Sequence, residues 1–326
     1  MRKRPSVGVL AALGASASLL AARVPEPPID ARFEFAGRVA QTSPRAEATS
    51  LGGQPLVPPV DIPNRARLET DLAQAEKDLS ARPNDADAII WAGRRQAYLW
   101  RFQDAIATFT KGIALHPANP KLLRHRGHRY ITVRQFDKAL ADLENAARLI
   151  KGTADDVEPD GAPNLSGKPR STLHFNIWYH LGLAHYLTGT YTRALDAYTE
   201  CMKVSTNDDA IVATSDWMWM TLMRLNRKAD AAKVLERISA KMEILENGSY
   251  HRRLLMYKGI EKPETLLDPE NADDLTIATQ GYGVGNYFYV SGDRNRARQI
   301  FEKVTSGRQW NAFGFIAAEA ALQRMK

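Results

Sequence analysis

The sequence contains a single cysteine, Cys201, so no disulfide can form within the chain. Three motifs of common enzyme classes are also missing: the Gly-x-Ser-x-Gly turn of a serine nucleophile, the phosphate-binding P-loop and the zinc-binding His-Glu-x-x-His. Runs of β-branched residues are scarce in the middle of the chain, where Ala, Leu and Arg dominate. These absences argue against a disulfide scaffold, against the enzymes that use those motifs and against a sheet protein.

Positive charge is in modest excess, with a formal net charge of +7 over 326 residues. Three of the positive charges, Arg2, Lys3 and Arg4, stand directly before an uncharged stretch from Pro5 to Ala22. This order is typical of an export signal or an uncleaved signal anchor. The remaining charge is too mild to indicate nucleic-acid binding, so we expect no nucleic-acid partner, with RNA recognition by helical repeats as the weaker alternative.

Export predicts a periplasmic or otherwise exported protein, and retention of residues 5–22 would instead anchor it in the inner membrane. A membrane is therefore expected as a partner only if this segment is uncleaved. Residues 23–63 hold eight of the 17 prolines and are predicted to form an extended linker. A capping helix is predicted at 64–82, repeats at 85–245 with a polar insertion at 153–173, and a degenerate repeat, a last repeat and a capping helix at 246–326.

One short phrase recurs along the chain: a glycine, an alanine twelve residues later, a large apolar residue four residues on, and a small residue three further. The first two copies are separated by 34 residues. Antiparallel helices pack closely only where a small residue lets the other helix approach, so the phrase predicts repeated helix pairs. The structural positions are Gly93 and Ala105, Gly127 and Ala139, Gly182 and Ala194, and Gly285 and Ala297.

This period resembles that of the tetratricopeptide repeat (TPR) family. The resemblance implies an all-α fold, a right-handed TPR superhelix (α-solenoid) of antiparallel helix pairs. It also implies a non-enzymatic protein–protein interaction adaptor, or scaffold, that needs no cofactor and no metal. In that family the first helix of each pair lines a concave groove that binds an extended peptide or a partner protein.

Carried onto this sequence, the groove reads basic in its N-terminal part and aromatic in its later part. A peptide that is acidic or presents its C-terminal carboxylate at one end, with apolar anchors at the other, would suit such a groove. The predicted partner-binding residues are Arg94, Lys121, Arg124, His128, Tyr179, Tyr186, Tyr282 and Tyr289.

Residues from about 250 to 322 carry a narrower resemblance, in the order Met-Tyr-Lys-Gly at 256–259, Glu-Thr-Leu-Leu at 264–267 and Asn-Tyr-Phe-Tyr at 286–289. This order is similar to the C-terminal half of the NlpI-type envelope TPR adaptors. The resemblance implies a role in a bacterial cell envelope and a homodimer as one alternative. This chain lacks the lipid-anchoring cysteine of those proteins.

A rival function comes from two other features. Six of the seven histidines fall within seventy residues, mostly in the second and third repeats. The insertion carries Asp156-x-Glu158-x-Asp160-Gly161, which is similar to the start of a calcium loop. A metal-dependent or enzymatic protein would use such groups. The twelfth position of the calcium loop is Gly167 instead of glutamate, so we expect a solvated acidic loop. The alternatives for this insertion are a lid over the groove and a loop that docks a partner.

Overall fold

The structure is a computed structural model that describes residues 45–159, 161, 164, 166–267 and 274–326. The predicted signal segment and the start of the predicted linker lie outside these residues. Among the helices that the structure describes, none is both long and apolar enough to cross a membrane.

The described residues form fourteen helices and one two-stranded hairpin. The strands are β1 (Ala48–Thr49) and β2 (Pro55–Leu56), paired antiparallel with Ala48 opposite Leu56. The first eight helices are α1 (Arg65–Ala81), α2 (Ala86–Tyr98), α3 (Phe102–Leu115), α4 (Pro120–Thr132), α5 (Phe136–Leu149), α6 (Leu173–Thr188), α7 (Tyr191–Lys203) and α8 (Asp208–Arg224). The remaining six are α9 (Lys228–Glu236), α10 (Gly248–Tyr257), α11 (Pro263–Leu266), α12 (Asp274–Val290), α13 (Arg294–Thr305) and α14 (Phe313–Arg324). Consecutive packed pairs confirm the predicted all-α solenoid.

The first helix of each of four successive pairs begins at a residue whose side chain caps it. Asp85 accepts from the amide of Ala88 at 2.7 Å, and the same role falls to Asn119, Thr172 and Asn207 at the starts of α4, α6 and α8. Such side chains satisfy amides that have no partner within the helix. The boundaries of these helices are therefore set locally by the sequence.

The repeated glycine lets a large side chain of the second helix reach the first. A Cβ atom added at Gly182 would lie 2.6 Å from the ring of Tyr198, and one at Gly127 would lie 2.8 Å from Leu143. The same relation joins Gly285 to Phe301 at 2.6 Å. The alanines of the phrase, at 105, 139, 194 and 297, are fully buried. The sequence phrase is thus a packing rule, with the large residue placed against the glycine.

Replacing Gly182 by alanine is expected to destabilise the chain by about 1–3 kcal/mol, because overpacking a filled core forces neighbouring side chains from their positions. Tyr198 is fully buried and cannot swing into solvent. Gly248→Ala is the matched control, since nothing lies within 4 Å of the added Cβ there. Urea unfolding measures both, and equal stability of the two variants would contradict the packing rule.

The turn between the two helices of a pair contains a residue in the left-handed backbone conformation, seven residues after the repeat glycine. Glycine occupies two of these turns, Gly189 with φ 82° and Gly292 with φ 100°. The first two pairs place Trp100 (φ 62°) and Arg134 (φ 64°) there, although such residues rarely adopt this conformation. Contacts elsewhere must therefore hold these two turns.

Those contacts come from the C-terminal end of the chain. The ring of Trp310 packs edge-on against Trp100 with centroids 5.1 Å apart. Arg134 forms a buried ion pair with Glu319 of α14, 2.8 Å between Nη2 and Oε2, and donates from Nη2 to the carbonyl of Trp310 at 2.8 Å. Helix α14 and Trp310, which precedes it, therefore contact the turns of the first two repeats.

Part of the predicted linker is packed instead of extended. The carboxylate of Glu47 accepts from the backbone amide of Gln103 at 2.8 Å, and the indole of Trp310 donates to the carbonyl of Val57 at 2.7 Å. Ile62 is buried in the main core. Residues 45–63 thus join the N-terminal repeats to the C-terminal end, which corrects the prediction of an unpacked tether for this part.

Candidate functional site

The basic residues predicted for the groove lie on α2 and α4, and the structure brings them together. Arg94 lies on α2, and Lys121, Arg124 and His128 lie on α4, spaced so that they share one side of that helix. They face the polar insertion between α5 and α6. The segment of the insertion that lies on them is residues 156–159, which we call the acidic segment.

Carboxylates of the acidic segment pair with the cations of α4. Arg124 Nη2 lies 2.6 Å from Glu158 Oε2, and both side chains are about nine-tenths buried. Lys121 Nζ lies 3.4 Å from Asp156 Oδ2 in a more exposed pair. Glu158 also faces His125, with Nε2 and Oε1 3.7 Å apart. The groove thus holds an acidic peptide segment that belongs to the same chain.

Two arginines of α2 bind backbone carbonyl groups of the insertion, at Pro159 and Gly161. Arg94 donates to the carbonyl of Pro159 at 2.9 Å, and Arg95 donates to the carbonyl of Gly161 at 3.1 Å. The guanidinium of Arg94 stacks over the ring of Trp91, 4.4 Å from its centroid. Contacts to backbone carbonyls recognise an extended chain regardless of its side chains, whereas the contacts to Asp156 and Glu158 select acidic ones.

The acidic segment is also tied to the helix that follows it. The amide of Glu158 donates to the carbonyl of Ser171 at 3.1 Å, and the amide of Leu173 donates to the carbonyl of Asp156 at 2.8 Å. Asn176 of α6 donates to the carboxylate of Glu158. Glu158 is 6% exposed, so the expectation of a fully solvated acidic loop is wrong for this residue.

The aromatic residues predicted for the later groove lie in the interior. Tyr186 and Tyr282 are fully buried and share a hydrogen bond of 2.6 Å between their hydroxyls. Tyr179 is 6% exposed and accepts from the indole of Trp217 at 2.8 Å. Tyr289 remains half-buried beneath Arg224. Three of the four aromatics are therefore core residues in this closed form, which corrects the idea of an open aromatic groove.

Histidines of α4 and α6 meet beneath the acidic segment. The rings of His128 and His180 lie 4.3 Å apart between centroids, and Phe313 of α14 packs on both. His180 Nδ1 lies 2.5 Å from the carbonyl of Asn176 and donates to it. Burial lowers the pKa of both imidazoles well below the usual 6.5, and the nearby charges of Arg124 and Arg129 lower it further.

The low pKa values predict a loss of stability in mild acid. The unfolded chain binds protons on these histidines near pH 6.5, while the folded chain keeps them neutral, so their contribution is complete above pH 6.5 and declines below it. His128→Asn removes one such group. We expect wild type to lose more unfolding free energy than His128→Asn between pH 7.5 and 5.5, by up to about 1.4 kcal/mol per pH unit. Urea unfolding at both pH values measures this, and parallel losses would contradict it.

The residues that a metal-dependent or enzymatic protein would use are the histidines, the acidic residues and Cys201. Within the part of the chain that the structure describes, no group of three or more His, Cys, Asp or Glu side chains could hold a metal ion. Cys201 is buried beside Thr214, 3.2 Å between Sγ and Oγ1, and burial raises the pKa of its thiol to about 12. A thiol with that pKa is not a nucleophile at neutral pH.

Sequence reasoning missed two members of the site, Arg129 and His180. Arg129 lies five residues after Arg124 on α4, and His180 lies between the predicted groove positions of α6. The contact of the acidic segment with the groove was one of the alternatives for the insertion, but a loop without periodicity does not show where it packs. The crowding of Arg124, Arg126 and Arg129 on one short helix was the available signal.

The helix pairs have the glycine-to-large-residue contacts that the resemblance to the tetratricopeptide repeat leads one to expect. No protein-family model matches the chain, and no curated protein sequence does.

Solved structures with a similar fold include "YrrB: a TPR protein with an unusual peptide-binding site", at 15% identity and a TM-score of 0.40, covering 76% of this chain and 97% of that one. A tetratricopeptide repeat protein from Parabacteroides merdae has 16% identity and a TM-score of 0.47, covering 79% and 94%. MamA has 16% identity and a TM-score of 0.40, covering 53% and 88%.

Proposed function

We propose that this chain is a non-enzymatic protein-interaction adaptor whose basic groove binds an acidic segment of a partner protein. The observation that carries the proposal is the acidic segment of the chain itself, held by Arg94, Lys121 and Arg124 in the groove. A partner with similar chemistry would take its place.

The contacts indicate what such a partner needs. A buried carboxylate must reach Arg124, because that guanidinium lies in a site where an unpaired charge is costly. A second carboxylate two residues earlier would pair with Lys121, as Asp156 does at 3.4 Å. A carbonyl one residue after the buried carboxylate would accept from Arg94, as Pro159 does. The proposed recognition pattern is therefore acidic-x-acidic in an extended conformation.

The acidic segment would compete with any partner because it is tethered beside the groove. A short tether gives an effective concentration in the millimolar range, so a partner must bind tightly or meet a chain whose segment has been released. The groove is thus proposed to be gated by the insertion. The buried aromatic residues of α6 and α12 support the closed form and take no part in this binding.

A synthetic peptide of residues 154–161, Ala-Asp-Asp-Val-Glu-Pro-Asp-Gly, tests the proposal directly. Fluorescence anisotropy compares wild type with the variant Asp156→Asn/Glu158→Gln, whose own segment no longer pairs with the groove. We expect the variant to bind the labelled peptide at least tenfold more tightly than wild type, with affinity that falls as salt is added.

The control peptide carries Asn and Gln in place of Asp and Glu. Equal binding of both peptides, or equal affinity of the two proteins, would overturn the proposed acidic specificity. Adding Arg124→Met to the variant should remove binding, whereas Arg148→Met, at an exposed position on α5, should leave it unchanged.

The proposed setting is the cell envelope, supported by the basic residues 2–4 and the uncharged stretch to Ala22. Fusing residues 1–63 to a reporter enzyme that is active only after export tests this. Activity that disappears when Arg2, Lys3 and Arg4 are replaced by glutamate would support it, and an inactive fusion would contradict it.

A further inference from the structure

A cavity of about 350 Å³ lies beneath the acidic segment, between α2, α4, α6 and the start of α14. Arg94, Arg124 and Arg129 line it, together with His128, His180 and Phe313. Its volume is that of a pocket for a small molecule, and too small for a folded partner.

The cations that line this cavity outnumber the carboxylates that neutralise them. Arg124 pairs with Glu158, and Arg170 pairs with Asp209 at 3.0 Å. Among residues 45–159, 161, 164, 166–267 and 274–326, no ion pair or hydrogen bond reaches the guanidinium of Arg129, whose ring contact is with Phe102 at 5.8 Å. Glu158 and Asp209 lie outside the lining, and the carboxylate that does line the cavity, Glu246, accepts from Asn164 at 2.6 Å.

A second polar atom is left without a partner. Nε of Arg124 is buried and has no hydrogen-bond acceptor within the described part of the chain. Buried donors normally find an acceptor, so an orphaned one indicates a group that the isolated chain lacks. Burial lowers the pKa of Arg129 to about 10, and the neighbouring Arg124 and Arg94 oppose its charge as well.

An unpaired guanidinium beside other arginines and partly shielded from water lowers the free energy of unfolding of the chain. A bound anion would reverse that cost, because the planar fork of an arginine matches a carboxylate with two parallel hydrogen bonds. The remaining walls are aromatic: Tyr98, Phe175, Tyr179, Tyr250 and Phe313 line the cavity. Flat apolar surfaces of this kind suit an apolar ring behind the charged head.

We propose that this cavity binds a small organic carboxylate that carries an apolar ring, with its carboxylate on Arg129 and its ring against the aromatic wall. The site shares Arg94 and Arg124 with the surface that holds the acidic segment, but its anchor Arg129 makes no ion pair or hydrogen bond with that segment among the described residues, so the proposal does not depend on the proposed partner binding. The histidines add donors on the same side, since His128 and Nε2 of His180 have no protein acceptor among the residues that the structure describes. The cavity would thus be a ligand site beneath a peptide site.

Benzoate is the probe, and benzyl alcohol is its uncharged match. Isothermal titration of the full chain is expected to show one benzoate site in wild type and in the control Arg148→Met. Arg129→Met should bind benzoate at least tenfold more weakly, and Arg129→Lys should fall between them because it keeps the charge and loses the fork. Benzyl alcohol should bind at least tenfold more weakly than benzoate to wild type.

Thermal unfolding without ligand separates a binding role from a structural one. Because Arg129→Met removes a half-buried cation that has no carboxylate partner among the described residues, the variant should be at least as stable as wild type. The proposal is overturned if wild type shows no binding at about 10 mM benzoate, a concentration that would half-fill even a site with a dissociation constant on the order of 10 mM. It is equally overturned if Arg129→Met binds benzoate as wild type does, or if it unfolds at a lower temperature.

Discussion

Glu158→Gln is expected to lower the free energy of unfolding by about 3–5 kcal/mol, because it leaves the charge of Arg124 buried without its partner. The two side chains are 7% and 11% exposed, and the ion pair measures 2.6 Å. Part of the energy comes from Asn176, which donates to the same carboxylate. Urea unfolding followed by circular dichroism measures the change.

The same substitution in an exposed ion pair separates the effect of burial from the effect of removing a charge. Glu200 lies 2.6 Å from Lys203, with 42% and 63% of the side chains exposed. Glu200→Gln should cost less than about 1 kcal/mol, since solvent screens such pairs. The double variant Arg124→Met/Glu158→Met should recover much of the stability lost by Glu158→Gln. A loss below about 1 kcal/mol for Glu158→Gln would mean that the acidic segment does not rest on Arg124 in solution.

Arg253→Met is expected to produce a loss of similar size at the other end of the molecule, about 3–5 kcal/mol. Arg253 of α10 is fully buried and faces both carboxylate oxygens of Asp216 on α8, with 3.0 Å between Nε and Oδ1. Its Nη1 donates to the carbonyl of Thr279 at 2.6 Å. One side chain thus joins α8, α10 and α12.

The neighbouring arginine provides the control. Arg252 pairs with Glu261 at 2.8 Å, with its own side chain 45% exposed, so Arg252→Met should cost less than about 1 kcal/mol. Gly283 lies against the aliphatic part of Arg253, so the arginine occupies space that only a glycine leaves open. Equal effects of Arg252→Met and Arg253→Met on the urea midpoint would contradict the role assigned to the buried pair.

The helix pairs were predictable because each of their determinants is local. The glycine at 182 and the tyrosine at 198 stand sixteen residues apart, and the capping residue Asn119 acts on amides within the next turn. Signals of this kind survive in a single sequence, since helix boundaries and pair packing depend on neighbours along the chain.

The closure of the solenoid was not predictable in the same way. It depends on Trp310 meeting Trp100 and on Glu319 meeting Arg134, contacts between residues about two hundred positions apart. Two of the non-glycine residues in left-handed turns, Trp100 and Arg134, were a visible irregularity of the repeat. In retrospect they indicate that another segment packs on those turns.

The sequence predicted that the basic residues share one surface, and it was wrong in placing the aromatic residues on an open groove. Arg94, Lys121 and Arg124 do share a surface, since their positions follow from helix periodicity. The burial of Tyr186 and Tyr282 depends on α12 reaching α6, which no local pattern encodes. The same limit applies to the acidic segment: its charge complements the predicted basic residues, but no local pattern encodes where the segment packs.

Hydrogen exchange at the amides of Glu158 and Leu173 tests the central claim, that the groove holds an acidic segment which a partner replaces. The amides of Glu158 and Leu173 donate within the closed insertion, so both should exchange slowly in the free chain. Adding a saturating amount of the acidic peptide of residues 154–161 should make these amides exchange at least tenfold faster, while Ala92 in α2 stays protected. Unchanged exchange at Glu158 under conditions where the peptide is bound would show that it binds elsewhere, and would contradict the account.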